Sequence, residues 1–121
     1  MNKNKNMSYK SRYYSFVYAI SGLKLLLAEP NVKIHFLATV VVIIAGYLKH
    51  LSSNQWIAIS LAISIVWITE ALNTCTEKLC DFACDNQIHP SIKIIKDIAA
   101  GAVLIAALTS CAIAVIIFFI Q

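Results

Sequence analysis

The sequence predicts an all-α integral membrane protein in which three transmembrane helices follow an amphipathic helix lying in the membrane interface. Two observations carry that prediction. Apolar residues fill 60% of the 121 positions and the mean hydropathy is +0.74, which places the chain outside the soluble class and, at this length, allows a single domain. The apolar residues also gather into three runs, 34–48, 56–72 and 98–120, each near the roughly 20 residues a helix needs to cross a layer of about 30 Å.

Taken in order, residues 1–8 are polar and basic and read as a disordered tail, with no apolar core close enough behind them for a cleavable signal peptide. Residues 9–29 form the interfacial helix. Phe16, Ile20, Leu23 and Leu27 recur at helical spacing while Lys10, Arg12, Ser15 and Lys24 fall largely elsewhere on the wheel. Pro30 breaks this helix, because the residue before a proline is pushed out of the α region, and Glu29 is left at the corner where the chain enters the membrane. The membrane helices are expected at about 31–49, 55–77 and 97–120. The first apolar run is short, so its helix reaches back through Asn31 or relies on Lys33 extending to the interface. Pro90 is a candidate first residue of the last helix, and residues 82–96 make the one sizeable polar loop.

Basic residues set the orientation. With the N-terminus inside, Lys3, Lys5, Lys10, Arg12, Lys24, Lys33, Lys78, Lys93 and Lys96 are cytoplasmic and Lys49 alone is outside. The net charge of +4 therefore reflects topology and attraction to anionic lipid; no clustered motif points to nucleic acid.

Residues 70–81 drive polar groups out of an apolar helix. At 100° per residue, Glu70, Asn73, Thr74, Glu77 and Asp81 fall within an arc of roughly 100°. Glu70 belongs in the hydrocarbon layer, where an ionisable group costs about 2.5–3.5 kcal/mol and marks a functional site by default. Glu77 lies two turns closer to the cytoplasm, a level that Glu29 could share. Two carboxylates there suit magnesium, which takes oxygen ligands from one or two protein carboxylates plus substrate phosphates. Lys93 and Lys96 can contact phosphate or simply anchor the inner face, and Asp97 stands at the threshold of the last apolar helix. Ala102, Ala106, Ser110 and Ala114 form a small-residue stripe suited to close helix packing.

Other chemistries are poorly served. Cys75, Cys80, Cys84 and Cys111 have no zinc spacing and read as reduced thiols. His35 and His50 read as interfacial residues without evident partners. Gly22, Gly46 and Gly101 are too few and too scattered for a phosphate-binding loop. A small proton-coupled exporter would show four spans and an isolated intramembrane acid, rather than three spans and a stripe. A purely structural subunit leaves the stripe unexplained.

The ordered set Glu70-x-x-Asn73-Thr74-x-x-Glu77-x-x-x-Asp81, His89-Pro90, Lys96-Asp97 and Ala99-Ala100-Gly101-Ala102-Val103-Leu104, together with Arg12, Tyr18, Gly22-Leu23-Lys24, Glu29 and Asn31-x-Lys33-Ile34-His35, resembles the prokaryotic diacylglycerol kinase family, which includes the undecaprenol kinases. The match covers nearly the whole chain. Cys75-Thr76, Ile88 and Lys33 depart from the usual residues at their positions. The resemblance implies a homotrimer in the bacterial cytoplasmic membrane, with active sites between subunits on the cytoplasmic side. It implies transfer of the ATP γ-phosphate to a membrane lipid alcohol, with diacylglycerol as the acceptor or, as the alternative, undecaprenol. It further implies Glu70 as general base with Asn73 orienting the reacting groups, and Glu29 and Glu77 holding Mg2+. Arg12, Tyr18, Glu29, Glu77, Asp81, His89, Lys96 and Asp97 would surround the nucleotide, and Lys33 and Ala100 would join Glu70 at the lipid.

Overall fold

The computed structural model describes residues 3–121, with side chains from residue 9 onward. Four α-helices follow one another, α1 (Lys3–Leu27), α2 (Val32–Leu48), α3 (Ser53–Ala83) and α4 (Pro90–Val115), and a π-helical turn, Ile116–Ile120, ends the chain. No strand occurs among the described residues. The chain divides into two units, Met1–Ile34 and His35–Gln121.

In the first unit, α1 starts six residues before the interfacial helix expected at residue 9, because nothing between Lys3 and Tyr9 is a proline or glycine that would stop it. Met1 and Asn2 of the expected tail lie outside the described residues. The apolar side chains of Phe16, Ile20, Leu23 and Leu27 are exposed, and so are Lys10, Arg12, Ser15 and Lys24, so burial singles out no apolar face on α1. Tyr14 stacks on Tyr18 one turn later, with ring centroids 6.3 Å apart. The helix ends at Leu27, and the turn before Pro30 is closed by Glu29 N–H donating to the Leu26 carbonyl at 3.0 Å.

In the second unit, the long apolar helices α3 and α4 pack together with the core between them. By length and composition both can cross a membrane, α4 together with its π turn, and a third candidate exists if the apolar stretch broken between Leu27 and Val32 counts as one span. The 31 residues of α3 extend about 46 Å at 1.5 Å per residue, so the helix outlasts a layer of about 30 Å. Ser52 caps it reciprocally: its hydroxyl accepts from Gln55 N–H at 3.3 Å, and its own N–H donates to Gln55 Oε1 at 2.9 Å. Asp85 and Asn86, in the left-handed region at φ 49° and 58°, turn the chain after α3, as short polar side chains tolerate. Pro90 opens α4 as expected, behind His89, whose Nδ1 accepts from Ser91 N–H at 3.2 Å.

Ile59 and Ala62 of α3, Ala106 of α4 and Ile117 of the π turn are buried, and the Ser110 hydroxyl donates to the Ala62 carbonyl at 3.0 Å. The small-residue stripe packs at its middle, whereas Ala102 is exposed. Helix α2 joins α3 through Trp67, whose indole N–H donates to the Thr39 hydroxyl at 3.0 Å. Beyond α2, Lys49 Nζ donates to the Phe118 carbonyl at 2.6 Å, tying the short 50–52 connection to the end of the chain. Large apolar side chains such as Leu37, Ile57, Leu61, Ile68 and Leu108 stay exposed, which suits a surface solvated by lipid.

Candidate active site

The polar stripe of α3 keeps its sequence order in space. Glu70 and Asn73 are 4% and 7% exposed and are the buried polar residues among those described. Thr74, Glu77 and Asp81 follow half-buried, with Glu77 about 10 Å along the axis from Glu70 and Asp81 about 6 Å further. A carboxylate as enclosed as Glu70 requires a polar neighbour. That neighbour is His35 of α2, whose Nε2 lies 3.4 Å from Glu70 Oε2. The expectation that His35 has no partner is thereby corrected: it faces Glu70 across the α2–α3 contact, which no periodicity within either segment reveals.

Asn73 Nδ2 donates to Glu77 Oε1 at 3.3 Å, while Asn73 Oδ1 is buried without a hydrogen-bond partner. A buried acceptor left in that state costs about 1–3 kcal/mol, so the amide stands where a ligand or cation would relieve it. Amide and carboxylate oxygens are the donors that a hard divalent cation takes. Among the described residues, no three His, Cys, Asp or Glu side chains converge into a metal cluster.

At the cytoplasm-proximal end expected for the stripe, Lys96 Nζ of α4 bonds Asp81 Oδ1 of α3 at 2.7 Å, and Lys93 pairs with Asp97 one turn along α4. Asp81, His89, Lys96 and Asp97 line one open cavity of about 300 Å³ between the end of α3, the 84–89 connection and the first turns of α4. Four of the residues expected around a nucleotide therefore share one cavity, and Lys93 joins them. Each of the two lysines of the cavity is paired with a carboxylate, Lys96 with Asp81 and Lys93 with Asp97. Ala100 is exposed on α4. Arg12, Tyr18, Glu29 and Lys33 belong to the first unit: Arg12, Tyr18 and Lys33 are exposed, and Glu29 is half-buried at the turn between α1 and α2.

Thr39 and Trp67 escaped the sequence reading, as did the partner of His35. A hydroxyl and an indole set in apolar helices were the available signal, and it becomes specific only when the helices are paired.

Comparison with known proteins identifies relatives of this chain. The prokaryotic diacylglycerol kinase family profile matches residues 17–118. The undecaprenol kinase of Bacillus subtilis is 39% identical over 107 residues, covering 88% of this chain and 86% of that protein. A diacylglycerol kinase of Synechocystis is 39% identical over 97 residues, covering 79% of this chain and 55% of that longer relative, so the chain spans about half its length. No solved structure matches. With the profile covering most of the residues that build both helices and cavity, the chain belongs to the prokaryotic diacylglycerol kinase family.

Proposed function

We propose that this chain is a membrane lipid kinase that transfers the γ-phosphate of ATP to the hydroxyl of diacylglycerol, forming phosphatidic acid and ADP. The observation that carries the reading is the α3 stripe, which runs from the enclosed Glu70, through Asn73 and Glu77, to a lysine-lined cavity. A lipid hydroxyl approaches from the hydrocarbon side and a nucleotide from the aqueous side, and such a stripe serves both. In the transfer, the acceptor oxygen forms a bond to the γ-phosphorus, the bond from that phosphorus to the β–γ bridging oxygen breaks, and the hydroxyl proton passes to Glu70. Phosphoryl transfer asks a protein mainly for positioning and charge neutralisation. Asn73 orients the reacting groups, and Asp81, His89, Lys96 and Asp97, with Arg12 and Tyr18, surround the nucleotide. By the family resemblance Lys33 and Ala100 serve the acceptor lipid together with Glu70.

Glu29 and Glu77 hold Mg2+ in this reading, and the orphaned Asn73 oxygen beside Glu77 fits such an ion. When bound, the ion supplies neutralisation of phosphate charge. The working unit is a homotrimer with sites between subunits, in the bacterial cytoplasmic membrane with the N-terminus and active site inside.

Undecaprenol is the second acceptor reading, favoured by the relative matched over most of its own length, the undecaprenol kinase of Bacillus subtilis. Both alcohols present a primary hydroxyl. Incubating the purified protein with labelled ATP, magnesium and each alcohol separately decides between them: label in one lipid names the acceptor, and label in neither overturns the kinase reading. In the same assay Glu70→Gln keeps shape and hydrogen bonding but cannot take the proton, so turnover should fall about 10²- to 10⁴-fold with ATP binding near normal.

A further inference from the structure

Glu70 hangs on a flexible side chain, and a base must sit within hydrogen-bond reach of the proton it removes. What faces its carboxylate is His35. The imidazole is itself only 20% exposed, and its backbone is anchored: the Thr39 hydroxyl donates to the His35 carbonyl at 2.7 Å and accepts from Trp67 Nε1 at 3.0 Å. Thr39 stands one turn after His35 on α2, and Trp67 one turn before Glu70 on α3. Two cross-helix contacts lie one turn apart, Thr39 with Trp67 and His35 with Glu70, and they align α2 with α3 at the level of Glu70.

We propose that His35 is the positioning residue of Glu70. Its Nε2 side engages Oε2 and holds the carboxylate in one rotamer, so that Oε1 meets the acceptor hydroxyl, while Thr39 and Trp67 keep the imidazole in register. This rests on the reading of Glu70 as the base. The ring suits the task because Nε2, when it carries hydrogen, presents a donor to a carboxylate. Its reach also matters, since a misplacement of about 1 Å at a reacting group can cost about 10²-fold in rate.

The test measures kcat and KM for ATP in the full-length protein reconstituted with its lipid acceptor. His35→Ala should lower kcat about 10- to 100-fold and leave KM for ATP within about twofold. His35→Gln, whose amide nitrogen reaches the place of Nε2, should recover most of the rate, whereas the shorter His35→Asn should not. In the Glu70→Gln background His35→Ala should cost no more than about twofold, because the group it positions is already disabled. A wild-type kcat in His35→Ala with Glu70→Gln inactive overturns the proposal and leaves Glu70 as base. So does an equal loss from His35→Ala in both backgrounds, which marks a general support of the fold. Near-normal turnover of Glu70→Gln removes the base reading and this proposal with it. If His35→Ala fails to assemble, the Gln and Asn variants carry the test, and equal rates for the two overturn it.

Discussion

Single residues divide here into those that hold the fold and those whose position is wasted unless a ligand arrives. The Asp81–Lys96 pair joins α3 to α4 at 2.7 Å, yet its side chains are 46% and 35% exposed. A pair so open to solvent contributes about 0.2–1 kcal/mol, and the Lys93–Asp97 pair within α4 is more exposed still. Neither is needed to close the helix pair, which Ile59, Ala62 and Ala106 already pack. Both line the cavity, and on the proposed nucleotide reading the ammonium of Lys96 meets phosphate while Asp81 is its counter-ion. Lys96→Met should therefore shift unfolding by less than about 1 kcal/mol while raising KM for ATP about three- to tenfold. Denaturation in detergent and ATP titration of the same preparation check this. A large loss of stability with an unchanged KM would make Lys96 a strut rather than a ligand contact.

At the scale of helices, the α2–α3 contact is built on a close approach at one end and polar contacts at the other. Gly46 of α2 has no side chain because the indole of Trp56 occupies its place: a Cβ there would lie 2.7 Å from Trp56 Cη2, 3.0 Å from Cζ2 and 3.1 Å from Leu51 Cδ1. The indole has little room to yield, since Tyr47 packs against it with ring centroids 5.0 Å apart. Gly46→Ala gains about 1 kcal/mol of helix propensity but overpacks a rigid ring at a cost of about 1–3 kcal/mol. The net effect should be a loss of about 1 kcal/mol, removed when Trp56→Leu is combined with it. Thermal unfolding of the single and double variants measures it, and a Gly46→Ala protein more stable than wild type would show that the helices part without penalty. The same contact continues through Trp67 and Thr39 to His35 and Glu70, so a disturbance at Gly46 should also reach turnover.

For the whole molecule the governing asymmetry is charge. Nine of the ten basic residues fall on the side of the α3–α4 connection under one topology, with Lys49 alone opposite, and by this bias we propose that the N-terminus and the 84–89 connection are cytoplasmic. On that proposal the extra length of α3 and the early start of α4 stand beyond the inner headgroups, where the cavity would meet soluble nucleotide. With Cys75, Cys80, Cys84 and Cys111 replaced by alanine, a single Asn54→Cys should react with an impermeant thiol reagent added from outside. Reaction from the cytoplasmic side alone would invert the topology and take the cavity away from ATP.

Local sequence by itself determined the helical membrane class, the polar stripe of α3, the proline-led start of α4 and the family, because each depends on composition, a 3.6-residue period or an ordered motif. Helix ends were less legible. Hydropathy marks where lipid begins and ends, whereas a helix continues as long as its backbone bonds are made, which is why α3 runs on to Ala83 and α1 begins at Lys3. Only the tertiary structure decided what the stripe touches: His35 at Glu70, Lys96 at Asp81, and an Asn73 oxygen buried without a partner. The register between helices that arranges these meetings comes from the packing of Trp67, Gly46, Ala62 and Ser110 against facing surfaces, and neither helix carries a record of its partner in its own periodicity.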